Sequence, residues 1–322
     1  LTASVRIVLP EGARVSLPWP LEGGIYHPDR SAFFIESYVA IGAFDLVPLT
    51  PGAKNVEVAR IGSSPDDAAV RRWIERAIRA ASSPGHSPAK RLHFVVVPVD
   101  APREDVVFGM LRRGGGASIL LVPSEHATQA GLDEDWVAVH ELSHLWLPRF
   151  VSEDRWLSEG FATYLQEVLR ARCGLQSASH AVRRLRDGFQ RGRRSGTGRS
   201  LANEARDMDR TGAFHRVYWA GAAFALDVDL RIREASDGRE SLLSVLARDQ
   251  SLWAERLRPM RRGEFLTALD PSGTLEHVGE KYAGRSEFPD TELMNATAAR
   301  ASLADIMRYD EAACGLNDGS SR

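Results

Sequence analysis

Up to about residue 60 the apolar positions come in short runs rich in β-branched and aromatic side chains: Val5-Arg6-Ile7-Val8-Leu9 and Phe33-Phe34-Ile35-Glu36-Ser37-Tyr38-Val39. Proline and glycine clusters such as Pro18-Trp19-Pro20 and Gly23-Gly24 bound them, so both read as strands. The period then changes. Val70, Trp73, Ile74, Ala77 and Ile78 recur at helical spacing, which predicts a helix to about Ala81 with Ser64 as cap and Pro65 at its first position. Ser82-Ser83-Pro84-Gly85 ends it. Leu92-His93-Phe94-Val95-Val96-Val97 and the run from Ala117 to Val122 are short apolar stretches of the kind that form buried strands. Gly114-Gly115-Gly116 precedes the second, which is expected at a sheet edge. From Trp136 onward the pattern is helical almost throughout. With no internal repeat, this order predicts an α+β fold. Residues 1–60 read as an incomplete β-rich domain. Residues 61–322 form the main domain, a sheet-and-helix lobe to about 172 and a helical lobe beyond.

Composition narrows the possibilities only a little. The 322 residues are 43% hydrophobic, enough for a real core, and a formal net charge of −2 gives no reason to expect nucleic acid or an anionic membrane as partner. No apolar run approaches the ~20 residues of a transmembrane segment. Cys173 and Cys314 are the only cysteines, which excludes a cysteine-rich metal cluster; the expectation is two unpaired thiols. Lysine occurs only at 54, 90 and 281, and nothing functional explains the preference for arginine. The stretch from Arg183 to Arg199 is dense in arginine, with Asp187 its one acid. It reads as a solvated, partly disordered connection, with a mobile basic loop guiding acidic substrates as the alternative. The opening Leu1-Thr2-Ala3-Ser4-Val5 lacks both a start methionine and a signal segment, and reads as a chain entered midway.

The chemistry concentrates at His140-Glu141-Leu142-Ser143-His144, an H-E-x-x-H pattern in an apolar segment. Residues four apart share a helix face, so both imidazoles can reach one zinc ion, while Glu141 projects beside them as a base that need not be a ligand. Val139, Leu142 and Trp146 fall on the other side and anchor the helix. Pro148 stops it. Helical patterning resumes at Trp156, and Glu159, in what reads as the first turn, is the expected third ligand. Gly160 and Ala162 beside it are small enough for close helix packing. Glu153 and Asp154 are the rival ligands, read as exposed loop charges.

With these residues in view, the sequence resembles the gluzincin metallopeptidases, particularly the aminopeptidase N and glycyl aminopeptidase families. In those families H-E-x-x-H is followed by a helix opening W-L/V-x-E-G-F-A/T-x-Y, which Trp156-Leu157-Ser158-Glu159-Gly160-Phe161-Ala162-Thr163-Tyr164 matches nearly position for position. Tyr218-Trp219-Ala220-Gly221-Ala222 resembles their Y-x-K/R-G-A, with Ala220 in place of the usual basic residue. More weakly, Glu36 to Gly42 looks like the end of the β-domain that precedes glycyl aminopeptidase catalytic domains, and Gly263-Glu264-Phe265-Leu266 like a C-terminal helix.

The resemblance implies a thermolysin-like zincin catalytic domain holding one Zn2+ on His140, His144 and Glu159, with Glu141 as base and Tyr218 as oxyanion donor. It implies a peptide or protein substrate. The place of the amine-binding G-x-M-E-N loop falls on Gly114 to Ser118, where no acid stands; Gly115, Gly116 and Ala117 are the candidate substrate-binding residues there. Glu125 and His126 read as surface-loop residues. The implied activity is therefore an aminopeptidase-like zinc peptidase. Its alternatives are an endopeptidase of the same fold, and a catalytically silent zinc-binding relative acting as a scaffold. The 14-residue spacer between His144 and Glu159, shorter than is usual in the family, and Ala220 favour the last. Many relatives are exported, so the periplasm or the medium is expected, with the cytoplasm left open.

Overall fold

The structure, a computed structural model, describes residues 3–49, 55–85, 89, 91–291 and 297–314. Leu1, Thr2, Lys54 and Lys90 lie outside the described residues. Two compact units divide the chain: residues 1–78 with 87–145, and residues 79–86 with 146–322. The division between them falls at Leu145/Trp146.

In the first unit the N-terminal part holds β1 (Arg14–Ser16), β2 (Leu21–Glu22), β3 (Ile25–Tyr26) and β4 (Ala40–Gly42), with β1 on β4 and β2 on β3, both antiparallel. The two runs read as strands do not form. Val5 makes one isolated bridge to Tyr26, and Arg30–Phe33 is a 3-10 turn capped by Asp29, whose carboxylate accepts from Ser31 N–H at 2.7 Å. Local side-chain-to-backbone bonding overrides the β-branched character there.

The sheet consists of β5 (Asp45–Leu46), β6 (Val56–Arg60), β7 (Leu92–Val96), β8 (Val106–Arg112) and β9 (Ala117–Pro123), ordered β5-β6-β7-β9-β8. The middle three are parallel, and of these β7 and β9 read as largely apolar runs whereas β6 carries Glu57 and Arg60; β5 and β8 are antiparallel edges. The run at 117–122 is therefore an interior strand. The edge is β8, which the hydrophobic pattern does not single out. Ala40 and Phe44 pack with Ala59 and Val95, so the N-terminal residues share the sheet's core.

Between β6 and β7 runs α1 (Asp67–Ser82), burying Val70, Trp73, Ile74 and Ala77 as expected. Its cap is Asp66, which accepts from Ala69 N–H at 2.8 Å, so the helix starts two residues later than Pro65. After the sheet come α2 (Gln129–Glu134) and α3 (Val137–Ser143).

A buried polar cluster ties β1 to the sheet. Ser16 Oγ lies 2.7 Å from His93 Nε2 and donates to the Glu57 carboxylate, which Arg91 meets at 3.1 Å. With its proton on Glu57, the hydroxyl accepts from Nε2–H, and the Tyr38 backbone is the other hydrogen-bonding group beside the ring. His93 is fully buried, and this burial, reinforced by the Arg91 charge, pushes its pKa down to about 4.

The second unit is helical: α4 (Arg155–Arg172), α5 (Ala178–Arg194), α6 (Leu201–Thr211), α7 (Phe214–Ala235), α8 (Leu242–Asp249), α9 (Arg262–Leu269), α10 (Thr274–Gly284), α11 (Thr297–Ile306) and α12 (Glu311–Cys314). Its core is aromatic, with Phe265 set edge-on against Phe150, Phe161 and Trp253. Helices α4 and α7 meet where Gly160 faces Gly221; a Cβ on either would strike the other helix's backbone, so the glycine after Glu159 has its packing reason in α7. The arginine-rich stretch is mostly α5 and not a disordered connection. Beneath its arginines Ala181, Leu185, Gly188, Phe189 and Gly192 form a buried stripe, and Ser177 caps it.

Cys173 and Cys314 form a disulfide, Cα–Cα 5.3 Å, between the end of α4 and the end of α12, which overturns the expectation of free thiols. Tertiary folding brings together cysteines 141 residues apart, a proximity no spacing rule could supply.

Two predictions follow from these tethers. Reduction of the disulfide lowers stability by about 2–5 kcal/mol, since it releases a long loop in the unfolded chain; a Tm fall with reductant that is absent in a Cys173→Ala/Cys314→Ala variant checks this. For His93, the unfolded chain binds the proton more readily than the folded one. Stability is therefore full above pH 6.5 and falls by on the order of 3 kcal/mol as pH drops through the range down to about 4. Urea midpoints at pH 7 and 4.5, repeated with His93→Gln, measure that share.

Candidate metal centre

The helix that carries the H-E-x-x-H pattern is short and held at both ends. Asp135 accepts from Val137 and Ala138 N–H at 2.9 and 3.0 Å and also from Trp73 Nε1 at 2.8 Å, which links the start of α3 to α1. All seven residues of α3 are buried. At its other end His144 keeps helical dihedrals and donates its backbone N–H to His140 O, so the i,i+4 relation survives although α-helix gives way to a 3-10 turn.

The two imidazoles stand edge to face, ring centroids 4.9 Å apart. Candidate ligand atoms of His140, Glu141 and His144 all lie within 4.8 Å of one another. These residues are 3%, 8% and 9% exposed. Two histidines and a carboxylate gathered in so little solvent match the donor set of a zinc site.

Glu141 is oriented from the sheet. Leu111 N–H on the edge strand β8 donates to Glu141 Oε2 at 2.8 Å. That approach needs Gly109, since a Cβ there would lie 2.9 Å from Glu141 Cγ and even nearer Val137 Cγ1. The Arg113 guanidinium donates to His144 O. Tyr38 also joins the surroundings: burial raises its phenol pKa, the Arg112 charge opposes this, and the Glu141 and Glu36 carboxylates add to it. Gly109, Leu111, Tyr38 and Asp135 were missed as site-building residues. A glycine inside a strand pattern was the available signal for Gly109.

Gly115, Gly116 and Ala117 take up other duties in the structure. Gly115 N–H donates to Ser31 Oγ at 2.7 Å, a Cβ on Gly115 or Gly116 would strike Trp19 or Pro18, and Ala117 is buried inside the sheet. Exposed backbone at the sheet's edge belongs to β8, where Val107 and Phe108 are exposed. Glu125 and His126 are exposed, His126 pairing with Asp100 at 3.0 Å.

In the helical unit, α4 starts at Arg155, one residue ahead of Trp156, so the half-buried Glu159 is its fifth residue and lies just past the first turn. Tyr218 is half-buried on α7. The pair share a neighbour in Arg155. Burial works against the charge of Arg155, but its ion pair with Asp209 and the nearby Glu159 carboxylate and Tyr218 phenol outweigh that and raise its pKa. Of the rival ligands, Glu153 pairs with Arg261 at 3.4 Å. Asp154 is buried, not an exposed loop charge, and accepts from Arg262 N–H at 2.8 Å at the start of α9.

No family model matches the sequence, and no curated protein matches it. Solved structures do. An aminopeptidase N family protein from Idiomarina loihiensis aligns with 92% of this chain and 57% of its own, at a TM-score of 0.59 and 16% identity. A mutant M1 zinc metallopeptidase from Deinococcus radiodurans bound to a Tyr-Ser-Ala substrate aligns with 90% of this chain and 65% of its own, at 0.55 and 17%. A two-domain M1 zinc metallopeptidase mutant bound to L-tryptophan aligns equally, at 0.55 and 17%. This chain has the M1 metallopeptidase fold. The α+β reading and the resemblance drawn from the motifs both hold at that level. The chain spans less than two thirds of the length of these M1 structures.

Within the M1 fold the contact between β8 and α3 is open to test. Gly109→Val forces the strand off the helix and breaks the Leu111–Glu141 bond. We expect a stability loss of about 1–3 kcal/mol from overpacking, read by urea unfolding, with Gly109→Ala smaller in effect.

Proposed function

We propose that the protein is a zinc-dependent peptidase of aminopeptidase-like type, with His140, His144 and Glu159 as metal ligands. The single observation that carries the reading is the buried convergence of His140, Glu141 and His144 in an M1 fold. Support for Glu159 comes from the W-L-S-E-G-F-A sequence that opens α4. Zinc, when bound, supplies a Lewis acid that polarises the peptide carbonyl and acidifies water.

The protein's own groups account for the rest. Glu141, oriented through Leu111 N–H, takes a proton from the attacking water and delivers it to the leaving amine. Its second oxygen is the one available for this, because Oε2 is engaged. Tyr218 donates to the oxyanion that develops on the scissile carbonyl, a role that rests on its motif. The outer edge of β8 offers backbone groups to an extended peptide. The disulfide supports a location outside the cytoplasm, periplasmic or secreted.

Endopeptidase preference is the second reading, favoured by the lack of an acid on the edge strand β8. Glu141→Gln is expected to keep zinc bound while peptide hydrolysis falls by about three orders of magnitude or more. Metal analysis beside a peptide-cleavage assay checks it, and unchanged turnover would refute the assignment. Run on free and N-acetylated peptides, the same assay separates the readings, since only an aminopeptidase requires the free amine. A zinc-loaded protein that cleaves neither is the silent relative.

A further inference from the structure

Arg155 opens α4 one turn ahead of Glu159, and i,i+4 spacing puts the two side chains on one helix face. Its guanidinium is clamped by Asp209 of α6, Nη1 to Oδ2 at 2.6 Å and Nη2 to Oδ1 at 3.4 Å, and this two-point pairing fixes the plane of the group. From that seat the cation is electrostatically coupled to the Glu159 carboxylate and to the Tyr218 phenol of α7. Position 220 supplies no cation in this chain. Ala220 is fully buried, and beside it Gly221 packs so closely on α4 that a Cβ would strike the Trp156 carbonyl.

We infer that Arg155 is a positioning residue: held by Asp209, it restrains the Glu159 carboxylate for the metal and strengthens Tyr218 as a donor to the developing oxyanion. The inference rests on the zinc-peptidase reading. A cation beside a ligand carboxylate both repels the metal and restrains the ligand. Restraint decides the sign, because losing an outer partner of a metal ligand costs about 10–100-fold in metal affinity or activity. A fixed positive charge near the phenol acts when charge develops, so its loss lowers kcat and leaves KM alone.

The test compares wild type, Arg155→Met and Arg155→Lys by zinc Kd from chelator competition, by kcat and KM at saturating zinc, and by Tm. Arg155 is partly exposed, with 32% of its side chain accessible, so both variants should fold. In Arg155→Met, zinc binding weakens about tenfold and kcat falls about tenfold or more, with KM within about twofold. Arg155→Lys, which keeps the charge, recovers most of kcat, and Tm stays level across the series. Wild-type Kd and kcat in Arg155→Met overturn the inference. So does a loss that tracks a lowered Tm and is not rescued by lysine, which marks Arg155 as a packing residue alone. A wild type that binds zinc but cleaves no peptide sinks the peptidase reading, while the Kd series still decides the role of Arg155.

Discussion

The candidate site depends on how closely the edge strand β8 can lie against α3. Gly109 allows that approach, and the Leu111 N–H then reaches the Glu141 carboxylate at 2.8 Å. A free carboxylate next to two imidazoles has many rotamers and several ways to bind. One backbone donor removes most of that freedom and occupies one of the two oxygens. The rest of the first unit works to keep both partners in place. Asp135 anchors the start of α3, Arg113 grips its end, and the glycine turn that follows β8 is packed under Trp19, Ser31 and Pro18.

Similar reasoning applies in the helical unit, with charge in place of a backbone donor. Helices α4 and α7 can come together only because Gly160 and Gly221 lack side chains. Their contact brings the side chains of 159 and 218 under the influence of one arginine that Asp209 holds in place. Polar groups elsewhere in this unit serve packing. Buried Glu204 faces Arg216 at 3.3 Å, and Tyr164 donates to Asp229 at 2.7 Å, so α7 is tied to α6 by an ion pair and to α4 by a hydrogen bond as well as by aromatic rings. The disulfide closes the same unit by joining the end of α4 to the C-terminal segment.

What the primary structure determined by itself was local chemistry repeated at a fixed period. The spacing of His140 and His144, the buried stripe of α1, the apolar runs of β7 and β9 and the W-L-S-E-G-F-A opening of α4 each follow from neighbours within about one or two helical turns or strand pleats. Only the tertiary structure decided what depended on residues distant in the chain. It made β9 an interior strand and β8 the edge, because strand order is set by pairing partners and not by composition. It turned an arginine-rich stretch into a helix, because a stripe of small residues found Trp219 to pack on. It joined Cys173 to Cys314, buried Asp154 against the start of α9, and brought Arg155 near Tyr218. Each of these rests on through-space contact between segments tens to more than a hundred residues apart, and periodicity carries no information about such contacts.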